Sequence, residues 1–209
     1  MRYGLFYNYY GVGDVLIVKV SEDTPNKVRT NGNVVALFND DILVGYNIFN
    51  VKNIIKIKAK GMIINPSREM MKVINNILIN AGFAALPMQN TSGFYVGEVL
   101  ETTPHPDSDH LTIAKVDIKK EKPLQIVCGA RNCRAGIKII TAINNTMMFD
   151  GSLIKEGELR GVKSEGMLCS SRELNFPPKL QQEGIYILED DAVVGEDVFK
   201  EKEYNHEWN

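Results

Sequence analysis

Cysteine is scarce in this chain of 209 residues, which has only Cys128, Cys133 and Cys169. An odd number of thiols without a secretion signal excludes a disulfide framework and points to reduced thiols. Nowhere do about 18 apolar residues run together, so no membrane-spanning helix is expected. The stretch Met1 to Tyr10 lacks the apolar core and small-residue cleavage site of a leader, so a cytoplasmic protein is the expectation. Also missing are a Cys-x-x-Cys pair, a His-Glu-x-x-His helix, a Gly-x-Ser-x-Gly elbow and a Gly-x-x-x-x-Gly-Lys-Ser loop. Their absence argues against zinc sites, a nucleophilic serine and P-loop ATP chemistry. Residues 1–93 hold neither histidine nor cysteine. Tyr7, Tyr9 and Tyr10 therefore read as half-buried packing at a strand end and not as catalytic groups. The chain reads as a non-enzyme with no cofactor and no metal.

What is present is an uneven charge. Residues 1–93 carry 10 basic and 6 acidic groups, residues 94–182 carry 12 and 11, and residues 183–209 carry 2 and 9. The net charge of −2 hides an acidic end. A wholly electrostatic nucleic-acid binder would be basic throughout, so any such binding here needs a local patch and is salt-sensitive. The segment from Glu183 reads as solvated apart from Ile185 to Leu188.

Short β-branched runs recur at Val15–Val18, Val34–Phe38, Ile42–Val44 and Ile54–Ile57, bounded by turn signals such as Asn31-Gly32-Asn33 and Asn39-Asp40-Asp41; they read as strands. Asn65-Pro66 offers a cap and a first-turn proline to a helix carrying Met70, Ile74, Ile77, Leu78 and Ala81, which Gly82 stops. Periodicity is lost near Pro87. This divides the chain into an α+β domain over 1–86, a linker over 87–93, a domain over 94–200 and an acidic tail over 201–209. The second domain shows strand-like runs at Phe94–Leu100, Leu111–Ile118, Pro123–Val127, Ile137–Ile143 and Gly166–Ser170, enough for a five-stranded, partly open OB-fold barrel.

His105, Asp107, Asp109 and His110 could suggest a metal or acid–base cluster. Pro104 and Pro106 favour a rigid turn in which Asp107 and Asp109 cap backbone amides. Leu159 to Ser171 places Arg160 and Lys163 beside Gly161 and Gly166. Those residues fit a hairpin loop with solvated charges as well as a phosphate-contact surface.

Four blocks occur in order: Phe94 to Val99; His105-Pro106-Asp107-Ser108-Asp109-His110-Leu111; Leu124 to Asn132; and Leu159 to Ser170 with Glu173-Leu174 after it. Together they resemble the tRNA-binding OB domain of the bacterial phenylalanyl-tRNA synthetase β subunit, of methionyl-tRNA synthetases and of free-standing tRNA-binding proteins. With a strand-rich domain ahead of it, the chain looks most like the stand-alone bacterial proteins of the YtpR type. The resemblance implies a non-catalytic protein that recognises tRNA backbone and shape. Arg131, Arg134, Lys138, Arg160, Lys163 and Arg172 would line one barrel face, while Asn132, Ser164 and Ser171 would supply hydrogen bonds. Its partners would be tRNA, a second copy in a homodimer, and a synthetase or ribosome contact through the N-terminal domain. The alternative is a protein-interaction or dimerisation subunit with the barrel as scaffold. Three positions depart from the family pattern: Asn144-Asn145-Thr146 replaces a common Pro-Gly-Ala, His110 a basic residue, and Asn175 a frequent glycine. Losing turn glycine is expected to change loop shape.

Overall fold

The structure, a computed structural model, describes residues 2–200. The chain divides into two compact units, one of residues 2–90 with 150–152, the other of 91–149 with 153–200.

The first unit runs β1 (Gly4–Tyr7), a one-turn helix α1 (Tyr9–Val12), β2 (Val15–Lys19), β3 (Lys27–Asn31), β4 (Val34–Asn39), β5 (Ile42–Phe49), β6 (Gly61–Ile63) and helix α2 (Arg68–Asn80). Its strands form one antiparallel sheet in the order β3-β4-β5-β2-β1-β6. The turn residues Gly32 and Asp40 both take positive φ, as tight hairpins with right-handed strands require. The strand expected at Ile54–Ile57 does not form. The amides of Ile54 and Ile55 instead bond to the carbonyl of Val51 at 2.9 and 2.8 Å, making a turn. The cap of α2 also differs from expectation: Ser67 Oγ accepts from the amide of Met70 at 3.1 Å, because a short hydroxyl reaches an N3 amide directly. Met71, Ile74 and Leu78 form its buried face. They join Leu5, Leu16, Val34, Ala36, Tyr46 and Ile48 in the core, where each large apolar side chain contributes about 1.5–3 kcal/mol. Gly82, at φ 75, ends the helix as expected. Pro87 and Gln89, in the stretch read as a linker, bond to Tyr3: its hydroxyl donates to Pro87 O at 2.8 Å, and Gln89 Nε2 donates to Tyr3 O at 2.9 Å.

The second unit contains β7 (Phe94–His105), β8 (Ser108–Asp117), β9 (Leu124–Cys128), β10 (Lys138–Ile143), β11 (Gly157–Leu159), β12 (Val162–Ser164) and β13 (Gly166–Leu168). All five expected strands appear, as an antiparallel sheet in the order β13-β10-β7-β8-β9. Two bonds draw its ends together: the amide of Glu165 donates to Gln125 O at 2.8 Å, and the amide of Val127 to Ser164 Oγ at 3.1 Å. The sheet is thereby a near-closed five-stranded barrel of the OB type. Gly166 permits this closure, since a Cβ there would lie 2.6 Å from the carbonyl oxygen of Ala142. Val99, Ala114, Val116, Ile126, Ile139 and Leu168 fill the interior.

The Ile185 to Leu188 stretch packs as expected, and the acidic segment beyond it packs as well, contrary to the expectation that it is solvated. Ile187 pairs with Ile139 and Asp197 with Tyr95, and the buried Phe199 ring sits edge-on to Phe94 at 5.2 Å. Asp197 also accepts from the amide of Ser92 at 2.6 Å. Apolar residues within the acidic run drive the docking, while the acids sit on its outer side or bond to amides. The tail assigned to 201–209 lies outside the described residues. Among the described residues, no helix is long and apolar enough to cross a membrane.

Candidate nucleic-acid interface

The glycine-punctuated run prominent in the sequence is a hairpin, β11–β12. Its tip residues Arg160 and Gly161 have φ of 48° and 78°, two positive values in succession as a type I′ turn requires. The hairpin is latched to the β7–β8 turn. His105 is buried, its Nδ1 accepts from the amide of Asp107 at 3.1 Å, and its Nε2 lies 3.0 Å from Leu159 O. That pairing puts the proton on Nε2. Arg160 Nη1 donates to Asp107 O at 2.9 Å. The expected capping by Asp107 and Asp109 is replaced by His105 and by Ser108 Oγ, which accepts from the amide of His110 at 3.4 Å.

Next to the hairpin, Glu165 is an electrostatic hub. Its carboxylate accepts from the amide of Gln125 at 3.0 Å and from Lys122 and Lys163, each at 3.4 Å. The backbone bond from Gln125, then the lysines, hold its pKa below the ordinary carboxylate value. Lys163 is flanked by a second carboxylate, Glu156, at 3.2 Å; these partners raise its pKa and cancel its field locally.

The residues assigned to RNA contact therefore separate into two groups. Ser164 Oγ donates to Gly166 O while accepting from Val127. Ser171 Oγ accepts from the amide of Gln182 at 2.8 Å. Asn132 donates to Glu183 O and Ile185 O and accepts from the amide of Ile185, so its amide is committed to holding that segment. Lys138 donates to the carbonyls of Asp190 and Ala192. These four, with Arg160 and Lys163, build the barrel and its flanking loops. Arg131, Arg134 and Arg172 are exposed. Among the described residues, none of the three has a carboxylate partner.

Arg131 and Arg172 mark the two ends of a surface groove whose floor is Gly129 and Ala130, just beyond β9. One part, about 480 Å³, is bordered by Cys128, Leu168, Arg172 and Gly184; the other, about 540 Å³, by His110, Thr112 and Arg131. The sequence reading assigned no RNA contact to His110, Gly129 or Ala130; the family blocks His105 to Leu111 and Leu124 to Asn132 were the signals that could have found them. Glu173 also borders the groove, its carboxylate bonded to the amide and hydroxyl of Ser170 at 2.7 and 2.6 Å. Cys128 lines the groove too, with a thiol pKa lowered to about 7, chiefly because the Cys133 thiol donates to it. Asn145 and Asn175 adopt φ of 65° and 53°. Asparagine tolerates the left-handed region, so both positions keep the conformation glycine favours, and the loop change expected from its loss does not follow.

Comparison with known proteins fits this architecture. Residues 94–197 match the family model described as "Putative tRNA binding domain". Over 196 residues the chain is 37% identical to the "Putative tRNA-binding protein YtpR" of Bacillus subtilis (strain 168), covering 91% of this chain and 96% of that protein. The chain belongs to the YtpR family. It is also similar to part of much longer proteins: it is 42% identical over 138 residues to the phenylalanine–tRNA ligase beta subunit of Lactiplantibacillus plantarum, and 48% identical over 103 residues to that of Legionella pneumophila (strain Lens). Those matches take in 64% and 49% of this chain but only 17% and 13% of the ligase subunits. Residues 21–86 match a family model described only as a domain of unknown function.

Proposed function

We propose that this protein binds tRNA without catalysing a reaction on it, holding the RNA backbone in the groove between Arg131 and Arg172. The observation that carries the reading is that these two arginines, among the residues assigned from sequence, border an open groove with guanidinium groups that have no carboxylate partner among the described residues. A guanidinium fork matches phosphate geometry, and the glycine at the floor lets a backbone approach closely. The names of the relatives, tRNA-binding protein and tRNA ligase subunit, support the same class of ligand. Contacts of this kind position a backbone without reading bases, so recognition is of tRNA shape with little preference among acceptors. Binding takes place in the cytoplasm, where tRNA is found.

The test is fluorescence anisotropy with total tRNA, a hairpin RNA and a single-stranded RNA across a salt series, comparing wild type with Arg131→Glu/Arg172→Glu. About four neutralised phosphates give a slope of log K against log salt of roughly −3 to −4. Preferential tRNA binding that weakens with salt and in the double variant supports the reading. No binding even at low salt overturns it.

A further inference from the structure

The strongest unexplained surface lies on the first unit. From Ile42 to Arg68 the chain carries Lys52, Lys56, Lys58, Lys60 and Arg68 and no acidic residue. The segment after the Val51 turn alternates: Ile55 and Ala59 are buried in the core and Ile57 packs against it, while Lys56, Lys58 and Lys60 are exposed. Three solvent-facing ammonium groups thus fall within five residues, on alternate positions of one segment, and make a cationic strip. Among the described residues none of the three has a carboxylate partner, whereas Lys115, Lys119, Lys122 and Lys163 of the barrel are all paired.

The chain on either side of the strip is tied to the segment that carries the exposed tyrosines. At its start, Lys52 Nζ lies 4.8 Å from the centre of the Tyr9 ring and 3.1 Å from the Tyr9 hydroxyl. At its end, Gly61 pairs with Tyr7, the last residue of β1 and two residues before α1. Asp14 joins the two loops, accepting from the Tyr7 hydroxyl and from the amides of Val51 and Lys52. Of the three tyrosines read as packing, only Tyr7 is buried; Tyr10 is 91% exposed and edge-on to Tyr9 at 5.6 Å. Leaving a large aromatic ring in water has no packing rationale. Exposed aromatic rings and unpaired cations on one unit are the groups with which proteins hold single-stranded nucleic acid, the bases stacking while the cations follow the phosphates.

We infer that the Lys56-Lys58-Lys60 strip and the Tyr9–Tyr10 platform form a second RNA-binding surface, on the first unit, for a single-stranded segment. The inference rests on the proposed tRNA-binding reading only in that the same RNA supplies the segment. It explains why the first unit, not the barrel, carries the larger net positive charge.

The experiment uses the full chain in four forms: wild type, Arg131→Glu/Arg172→Glu, Lys56→Glu/Lys58→Glu, and the combination, each titrated with labelled total tRNA and a 12-mer of polyuridine across salt. The lysines are exposed, so folding is unaffected, and matching thermal melts check this. The strip variant is expected to lose roughly tenfold in polyuridine affinity at 0.1 M salt, and its salt slope to fall by about 1 to 2. Ultraviolet cross-linking of wild type to the 12-mer should label Tyr10. A strip variant with wild-type affinity and slope overturns the inference while leaving the groove reading intact, and would direct attention to an acidic protein as the strip's partner. Loss of RNA binding in the groove variant alone, with the strip variant unchanged, likewise overturns it. A wild type that binds neither RNA defeats both readings.

Discussion

The Nε2 atom of His105 lies 3.0 Å from the carbonyl oxygen of Leu159, and the Arg160 guanidinium returns the contact to Asp107 O. The β7–β8 turn and the β11–β12 hairpin are thereby one mechanical unit. Replacing His105 with alanine leaves Leu159 O and the Asp107 amide unpaired beside a void. The expected cost is about 1–3 kcal/mol, read as a lower urea midpoint with an unchanged slope. Hydrogen exchange should quicken at amides 157–164 more than in β7 or β10; uniform acceleration would show that the latch has no local role.

That latch was written in the sequence as chemistry-bearing residues but not as a contact. Four of the five barrel strands are five or more residues long and signal themselves through their apolar side chains, and β13, only three residues long, was legible as part of the longer run Gly166–Ser170. β3, β6, β11 and β12 were not: Lys27–Asn31 is exposed throughout, and the other three strands are only three residues long. Ile54–Ile57 carried the opposite error, since a β-branched run reads as a strand whether or not its backbone is hydrogen-bonded into a sheet, and here Ile54 is exposed and only Ile55 is buried. At the site, composition shows which residues are cationic. It cannot show that Glu156 and Glu165 neutralise Lys163, or that Asn132 has spent its amide on residues 183–185, because those partners meet only in the fold.

Glu165 couples barrel closure to pH. Its folded pKa lies below the ordinary 4.5, so its stabilising effect is complete above about pH 4.5 and is lost as pH falls through the lowered value. Glu165→Gln keeps an acceptor for the Gln125 amide but drops the charge. At pH 7 the variant should be less stable by about 1 kcal/mol, and this difference should vanish in strong acid. Parallel stability curves from pH 7 to 3 would exclude the carboxylate as a contributor.

Asn145 and Asn175 make opposite demands on substitution. With φ at 65° and 53°, each tolerates glycine, and Asn145→Gly should change the melting midpoint little. Asn145→Ala keeps the Cβ but loses the polar side chain that offsets its crowding in the left-handed region, a cost of about 1 kcal/mol. Chemical denaturation of the three forms checks the order, which a helical or extended Asn145 would not produce.

Cys128 offers a probe of the groove itself. The Cys133 thiol keeps its proton and donates it, so the negative form of Cys128 is favoured and its pKa falls from 9.0 to about 7. Cys169 is held high by burial, aided by the charge of Glu173. Alkylation by iodoacetamide, which attacks through the thiolate, should therefore select Cys128 over Cys169, with a rate that titrates near pH 7. Cys133→Ala removes the donor and should move that midpoint up toward 9. A wild-type midpoint already near 9 would sink this account of the pair. Because Cys128 lies between the groove floor and Arg172, a carbamidomethyl group there should weaken tRNA binding by the same route as Arg172→Glu. Adding the adduct to Arg172→Glu should then have less than its full effect, since both act on one stretch of bound backbone.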